Sequence, residues 1–364
     1  MQGSLFLSIL MGQCSFFTCH LYEYHFIKEP MTWSDAQKYC REEYTDLATV
    51  SNMSDTKRLC NSARNKDKAW IGLVNLPGAN RKWRWSMSGV EFNETEAKEK
   101  WEDEIWNDHP DENCGFVRKN LKWGNKSCKD KGPFICYDES DPFHFIVYWW
   151  SEWQEAQTYC RDKHTDLVSG LNQLEDEELR KKITSEWNGM YMGLFRDSWS
   201  WSDNSSFSFR HWDQHFIQSD NGKCAVTMLD EKGRWEAEDC DDEKPFFCYE
   251  DKVILINQNK TWVDALYYCR EHHRDLVSIT NLDQQRWVQE KPKKANSPYV
   301  WLGLRYTCTL DFWFWVSDEV VSYENWDSQK TNVDCDMSGA MDRGGKHTWF
   351  NKNDNEKFNF ICSK

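Results

Sequence analysis

The sequence has no long apolar run. It also lacks the excess of positive charge that binding to a polyphosphate would need. Acidic side chains outnumber basic ones by 60 to 45, which gives a formal net charge of −15. Phosphate-binding surfaces need clustered Lys and Arg, so we expect neither nucleic acid nor an anionic membrane surface as a partner. After the N-terminal residues, no apolar run reaches the roughly 18 residues of a membrane-spanning helix, so no membrane span is expected.

The usual signs of a zinc site and of an enzyme are also missing. No CxxC pair occurs, and the recurring cysteine spacings do not suit a zinc knuckle. No nucleophile motif of the form G-x-S-x-G is present, and no histidine–carboxylate pair recurs in all three repeats. The sequence therefore predicts that the protein is not an enzyme.

A frame of cysteines around a tryptophan is present three times, with a period of roughly a hundred residues, which predicts tandem repeats. In the third copy Asp354 stands where the middle cysteine would be. Repeated cysteine pairs in a chain with 15 cysteines indicate disulfides and hence an oxidising compartment. The three frames are Cys114, Trp123, Cys128 and Pro133 to Cys136; Cys224, Trp235, Cys240 and Pro245 to Cys248; and Cys335, Trp349 and Phe360 to Cys362.

Each frame is preceded by a matching head and a matching midsection. The heads contain a cysteine followed six residues later by Asp-Leu, and they begin at Thr32, Ser151 and Lys260. The midsections read WIGL, YMGL and WLGL at positions 70–73, 191–194 and 301–304. Each repeat thus has a head, a midsection, a tryptophan and a final cysteine in the same order. This order resembles the C-type lectin-like domain, and the resemblance covers nearly the whole chain. The tandem form is similar to receptor arrays of the mannose receptor and phospholipase A2 receptor type, but shorter.

The resemblance implies an α+β fold of three tandem domains, each with two helices and a small, mainly antiparallel sheet held by disulfides. The expected boundaries are 21–138, 142–249 and 252–364, after a signal peptide at 1–20. The linkers near 137–142 and 249–252 are short enough to make the array semi-rigid. The family pairs head with last cysteine and the two middle ones together, which implies Cys40–Cys136, Cys114–Cys128, Cys160–Cys248, Cys224–Cys240 and Cys269–Cys362.

Cys14 and Cys19 lie in the predicted signal peptide, and three further cysteines fall outside that scheme. Cys335 has lost its usual partner to Asp354, and a bridge to Cys308 in the same repeat is one outcome. Cys60 lies on the predicted second helix, where a buried thiol and an intermolecular bridge are the two alternatives.

Sugar binding in this family proceeds through calcium, a hard cation that takes about six to eight oxygen ligands. In domain 1 the resemblance assigns the ligand positions to His109, Asp111, Glu112 and Asn125, of which the last three offer oxygen. Gly124 stands where the family has an asparagine ligand. Domain 2 keeps fewer ligands, and in domain 3 Lys330 would place a positive charge at the ion, so domain 1 is expected to bind calcium weakly or not at all and the other two domains to bind none at this position. Their matching positions are Gln214 to Phe216, Gly222 and Glu236 in domain 2, and Gln329 to Thr331, Val333 and Asn351 in domain 3.

The apolar residues from Leu5 to Met11 fit a secretory leader, although an ordinary buried first strand is the alternative. We expect a secreted, extracellular glycoprotein that binds a glycan or an extracellular protein. A calcium-independent, protein-binding array is the alternative. The N-x-S/T glycosylation sites are Asn52, Asn93, Asn125, Asn204 and Asn259.

Overall fold

The computed structural model describes residues 21–63, 68–76, 80–102, 111–140, 145–186, 189–213, 223–230, 232–319, 321–328 and 334–364. The predicted leader and His109 lie outside these ranges. Among the described residues, no helix combines the length and the apolarity that crossing a membrane requires.

The head of repeat 1 forms as the sequence pattern predicts. Thr32 caps its first helix by accepting a hydrogen bond from the backbone of Asp35, and Ala36 and Cys40 on the inner face are fully buried. The elements of this segment are β1 (Tyr22–Met31), α1 (Trp33–Glu43), β2 (Asp46–Leu47), α2 (Met53–Ser62) and β3 (Lys68–Asn75).

The next segment runs from the tail of repeat 1 into the head of repeat 2. Its elements are β4 (Lys82–Trp85), α3 (Glu94–Lys98), β5 (Cys114–Val117), β6 (Trp123–Lys126), β7 (Gly132–Tyr137), β8 (Phe145–Ser151), α4 (Trp153–Lys163), β9 (Asp166–Leu167), α5 (Leu171–Leu174), α6 (Glu177–Glu186) and β10 (Met190–Asp197).

The tail of repeat 2 and all of repeat 3 complete the chain. Their elements are β11 (Ser200–Trp201), β12 (Lys223–Met228), β13 (Trp235–Asp239), β14 (Lys244–Asp251), β15 (Val253–Lys260), α7 (Trp262–His272), β16 (Asp275–Leu276), α8 (Leu282–Val288), a 3-10 helix (Pro292–Lys294), β17 (Tyr299–Thr307), β18 (Phe312–Trp315), β19 (Met337–Asp342), β20 (Trp349–Asn353) and β21 (Phe358–Ser363).

Repeat 3 folds on its own elements and confirms the predicted architecture. Its sheet has the order β15-β21-β17-β19-β20, with two helices beside it, and all strand pairs are antiparallel except β17 with β21. The midsection strand β17 turns back into β18 as a closed hairpin, in which Leu304 pairs with Trp315. Repeat 3 belongs to one compact unit, which also includes the described residues before Tyr24, while residues 24–251 form another.

Repeats 1 and 2 exchange their halves within the unit 24–251. The head of repeat 1 forms a sheet with the tail of repeat 2, in the order β1-β14-β3-β12-β13, which we call the split body (residues 24–75 and 199–251). The intervening residues 80–198 form a second sheet, in the order β6-β5-β10-β7-β8, which we call the inserted body. Each body contains the full set of strands seen in repeat 3, so the predicted boundary near residue 140 does not separate two folded bodies.

The disulfides follow this exchange. The pairs Cys40–Cys136 and Cys160–Cys248, which the resemblance implied, are wrong: Cys40 is bonded to Cys248, and Cys136 to Cys160. Both observed pairs still join a head helix to a last strand, but head and strand come from different repeats. The other bridges are Cys114–Cys128, Cys224–Cys240, Cys269–Cys362 and Cys308–Cys335. Cys60 is unpaired and half-buried on α2, and burial raises the pKa of its thiol.

The length of the midsection hairpin explains the exchange. Leu194 pairs with Trp85, and Leu73 with Trp201, in the register that Leu304 and Trp315 have inside repeat 3. If repeat 2 closed its own hairpin, Leu194 would have to meet Trp201, only seven positions away. That register leaves two turn residues, and two-residue turns need positive φ angles that favour glycine or asparagine. The residues there are Asp197 and Ser198, so the hairpin opens and each strand pairs with the other repeat.

The lengths of the linkers between the repeats also favour an exchange between repeats 1 and 2 only. Strands β7 and β8 are joined by residues 138–144 and pair directly, with Tyr137 opposite Phe145. Because the connection is short, bringing these two strands together costs little chain entropy. Strands β14 and β15 are separated by Lys252 alone, which is too short for a hairpin, and β15 pairs with β21 instead. Repeat 3 therefore stays outside the exchange.

Buried polar contacts join the two bodies. The Arg210 side chain is 1% exposed and donates to the Asp197 carboxylate at 2.8 Å and to the Trp199 carbonyl at 3.0 Å. Arg84 lies 3.4 Å from the same carboxylate. On α4, the guanidinium of Arg161 lies 4.8 Å from the Phe209 ring and donates to the Arg210 carbonyl. The contact of Arg210 with Asp197 and those of Arg161 with Phe209 and Arg210 cross the boundary between the inserted and the split body.

A histidine next to this boundary stays neutral. His211 is buried, and its Nε2 lies 2.8 Å from the Lys232 carbonyl oxygen. Burial, together with the positive charges of Arg161 and Arg234, lowers its pKa to about 3. Arg234 in turn reaches α4, where it donates to the Thr158 hydroxyl at 3.1 Å and lies 3.6 Å from Asp162. The interface thus concentrates arginine side chains that are held by carboxylates and carbonyls.

Candidate ligand-binding site

The position at which the resemblance implies calcium lies on a two-stranded ladder in each body. Strands β5 and β6, β12 and β13, and β19 and β20 form these ladders. A tryptophan opens the second strand of each ladder and bridges to another tryptophan, as Trp101 with Trp123, Trp212 with Trp235, and Trp326 with Trp349. The last two ligand positions implied by the resemblance follow directly after Trp123, Trp235 and Trp349.

In the inserted body the missing asparagine position is covered by an aromatic ring. Gly124 pairs across the ladder with Phe116, and a Cβ placed on Gly124 would lie 2.5 Å from the tip of that ring. The Phe116 ring itself lies within 5.3 Å of the Arg118 guanidinium and 5.6 Å of the Lys126 ammonium. An asparagine at position 124 would therefore need the ring to move away.

Two of the predicted domain 1 ligands do come together, but they bond to each other. The Asn125 amide nitrogen lies 3.2 Å from the Glu112 carbonyl oxygen and 3.3 Å from its carboxylate. Asn125 is buried, and Glu112 is half-buried. Asp111 is exposed on the preceding turn. Next to Glu112, the Asn113 side chain accepts a hydrogen bond at 3.0 Å from Arg196, which belongs to repeat 2.

In the split body a lysine occupies the space between carboxylates. The Lys68 ammonium lies 2.5 Å from Glu236 and 2.7 Å from Glu238 on β13. Hydrogen bonds to Glu236 and then Glu238 raise the pKa of Lys68. Burial raises the pKa of Glu238, but hydrogen bonds from Lys244 and Lys68 outweigh it and the net pKa is lowered. Lys68 comes from repeat 1 and both glutamates from repeat 2, so the exchange builds this ion-pair network.

In repeat 3 the corresponding position is apolar. Phe350 follows Trp349, pairs with Ala340, and lies 5.3 Å from the Tyr299 ring. Asn351 is half-buried beyond it. Asp354, at the lost cysteine position, instead forms an ion pair at 3.0 Å with Arg305. The other ligand positions predicted for repeats 2 and 3, Gln214 to Phe216, Gly222, Gln329 to Thr331 and Val333, lie outside the described residues.

Sequence reasoning did not single out Phe116 or Lys68. Phe116 lies two residues after Cys114 and opposite Gly124, a relation that only the strand register reveals. Lys68 reaches Glu236 only because the midsection of repeat 1 sits in the sheet of repeat 2. No motif marks either residue.

The glycosylation sites differ in exposure. Asn52 and Asn125 are each 6% exposed, and Asn52 caps α2 by accepting from the backbone of Asp55. A glycan on either asparagine would be incompatible with this packing. Asn93, Asn204 and Asn259 are exposed.

Comparison with known proteins defines the class. The family described as Lectin C-type domain matches residues 29–138, 151–250 and 258–364. The matches cover most of the sequence, and the chain belongs to the C-type lectin family.

Among characterised proteins, the chain is similar to receptor arrays. It is 23% identical to human C-type mannose receptor 2 over 367 residues, covering 84% of this chain and 24% of the receptor. It is 21% identical to the human secretory phospholipase A2 receptor over 365 residues, covering 81% and 24%. The chain thus spans about a quarter of the length of these relatives. Among solved structures, human lithostathine is 24% identical and covers 31% of this chain and 83% of its own, with a TM-score of 0.29.

Proposed function

We propose that this protein is an extracellular binding protein that recognises its glycan or protein ligand without calcium at the family's sugar position. The observation that carries the proposal is the Phe116 ring over Gly124, at the position that the family fills with an asparagine ligand. The residues present do not fit a calcium ion. At the family's ligand positions in the inserted body, the described residues with side-chain oxygen are Asp111, Glu112 and Asn125, and Glu112 bonds to the Asn125 amide.

The split body and repeat 3 also lack a suitable set of calcium ligands at this position. Lys68 already neutralises Glu236, so a divalent cation would have to displace an ammonium group. Phe350 offers no ligand atom in repeat 3. A hard cation loses affinity with each missing oxygen ligand, and here several are missing at every position. The disulfides and the receptor relatives support an extracellular location.

Calcium is expected to leave the stability of the protein unchanged. A ligand that binds only the folded state at 100 times its Kd adds about 2.7 kcal/mol to the free energy of unfolding. We therefore expect the same Tm by calorimetry with millimolar calcium as with a chelator.

A glycan array run first with calcium and then with chelator provides the functional readout. Binding that persists in chelator supports the proposal. A calcium-dependent rise in Tm, together with sugar binding that chelator abolishes, would contradict it.

A further inference from the structure

One end of repeat 3 gathers positive charge in an otherwise acidic chain. Residues 291–299 and 343–353 contain no aspartate or glutamate, whereas the whole sequence carries a net charge of −15. We call this surface the basic end. Its cations are Lys291, Lys293, Lys294, Arg343, Lys346 and Lys352.

Three contacts show that the two segments lie side by side. Tyr299 begins β17 and pairs with Asp342 at the end of β19, so the segments before and after these strands leave the sheet at the same edge. The Arg343 backbone N–H donates to the Pro298 carbonyl at 2.9 Å. The Lys352 ammonium lies 4.0 Å from the centre of the Tyr299 ring. Cations that are about fifty residues apart in sequence therefore share one surface.

The nearby carboxylates neutralise part of this surface and leave three of its cations without a described ion pair. Glu290 pairs with Lys293 at 2.7 Å, and an Asp342 oxygen accepts from the Gly344 backbone at 3.2 Å. Lys294, Arg343 and Lys346 are exposed, and no ion pair of theirs is found in the described part of the chain. Arg343 and Lys346 flank two exposed glycines, and no atom lies within 4 Å of a Cβ placed on Gly344. This backbone leaves room for a bulky ligand to approach.

We propose that the basic end binds a sulfated polysaccharide. A linear polyanion releases counterions when several cations contact it, so affinity grows with the number of Lys and Arg that it spans. A membrane surface would favour exposed aromatic or aliphatic anchors beside the cations. None of the large hydrophobic side chains found exposed in the described ranges falls within 291–299 or 343–353. The disulfides indicate an oxidising compartment, which disfavours nucleic acid. The proposal does not depend on the calcium-independent function proposed above.

The test is chromatography of the full chain on immobilised heparin, with the NaCl concentration at elution as the readout. The variant Lys294→Ser/Arg343→Ser/Lys346→Ser removes three exposed cations that form no described ion pair. Each cation near a strongly anionic surface is worth roughly a factor of five in affinity. The three losses multiply, so the variant is expected to bind roughly 100-fold more weakly and to elute at clearly lower salt.

The matched control is Lys38→Ser/Lys57→Ser/Lys119→Ser, which removes three exposed lysines from the unit 24–251 and changes the net charge equally. It should elute like the unchanged chain. Equal losses in both variants, or no loss in the first, would overturn the proposal. Binding to unsulfated hyaluronan or to phosphatidylserine vesicles with equal affinity would also overturn it. Circular dichroism confirms that each variant is folded.

Discussion

Insertion of four residues, Gly-Asn-Gly-Ser, between Asp197 and Ser198 is expected to restore the conventional disulfides in a substantial fraction of molecules. The longer connection would let Leu194 meet Trp201 in a closed hairpin, as Leu304 meets Trp315 in repeat 3. The natural two-residue turn would hold non-glycine residues at positive φ, at a cost of about 1–2 kcal/mol each. Without that cost, Cys40–Cys136 and Cys160–Cys248 should form beside the present pairs.

The control for this experiment uses the other connection. Leu73 and Trp85 are twelve positions apart, slightly more than the eleven between Leu304 and Trp315, so repeat 1 already has a loop long enough to close. The same four residues inserted after Leu76 should leave the disulfide pattern unchanged. If the insertion after Asp197 also leaves the pattern unchanged, hinge length is not the cause of the exchange.

The second large effect is expected from Asp197→Asn. This change leaves the buried guanidinium of Arg210 without its anionic partner, although its hydrogen bonds to carbonyl oxygens remain. Breaking a buried ion pair by removing one charge costs about 3–5 kcal/mol. Burial already lowers the pKa of Arg210, which shows how unfavourable this environment is for the charge. Urea unfolding with the disulfides intact should show the loss.

Glu178→Gln is the matched control. It removes one charge from the Lys181–Glu178 pair, in which both side chains are more than 60% exposed, so screening by water should keep the loss of stability far below that of Asp197→Asn. The double variant Asp197→Leu/Arg210→Met removes both charges and should be less destabilised than Asp197→Asn. If Asp197→Asn is no worse than Glu178→Gln, the pair does not hold the two bodies together.

The sequence predicted the helices and strands well, but it could not predict which head folds together with which tail. The helix around Cys40, the strand at 70–73 and the closing strand at 245–248 are all where the motifs place them. The tails of repeats 1 and 2 have the same spacing from the tryptophan through the last two cysteines, so either tail satisfies the chemistry of either head. The bridge between Cys308 and Cys335 is present, and both cysteines lie in one repeat.

A signal for the exchange was nevertheless present in the sequence. The midsection of repeat 2 is followed by its next tryptophan strand after a much shorter interval than in repeats 1 and 3. The interval shows that the turn would have only two residues once it is known that Leu194 and Trp201 would have to pair. The covering of Gly124 by Phe116 and the neutralisation of Glu236 by Lys68 also depend on register, which spacing alone does not fix.

The exchange of halves between repeats 1 and 2 can be tested most directly by peptide mapping of the unreduced protein after trypsin digestion. Residues 132–161 contain no internal Lys or Arg, so Cys136 and Cys160 lie on one tryptic peptide. The structure predicts that this peptide is released alone, with an internal disulfide, while the peptide of residues 39–41 stays linked to the one that carries Cys248. Recovery of 132–161 cross-linked to both of those peptides would contradict the exchange.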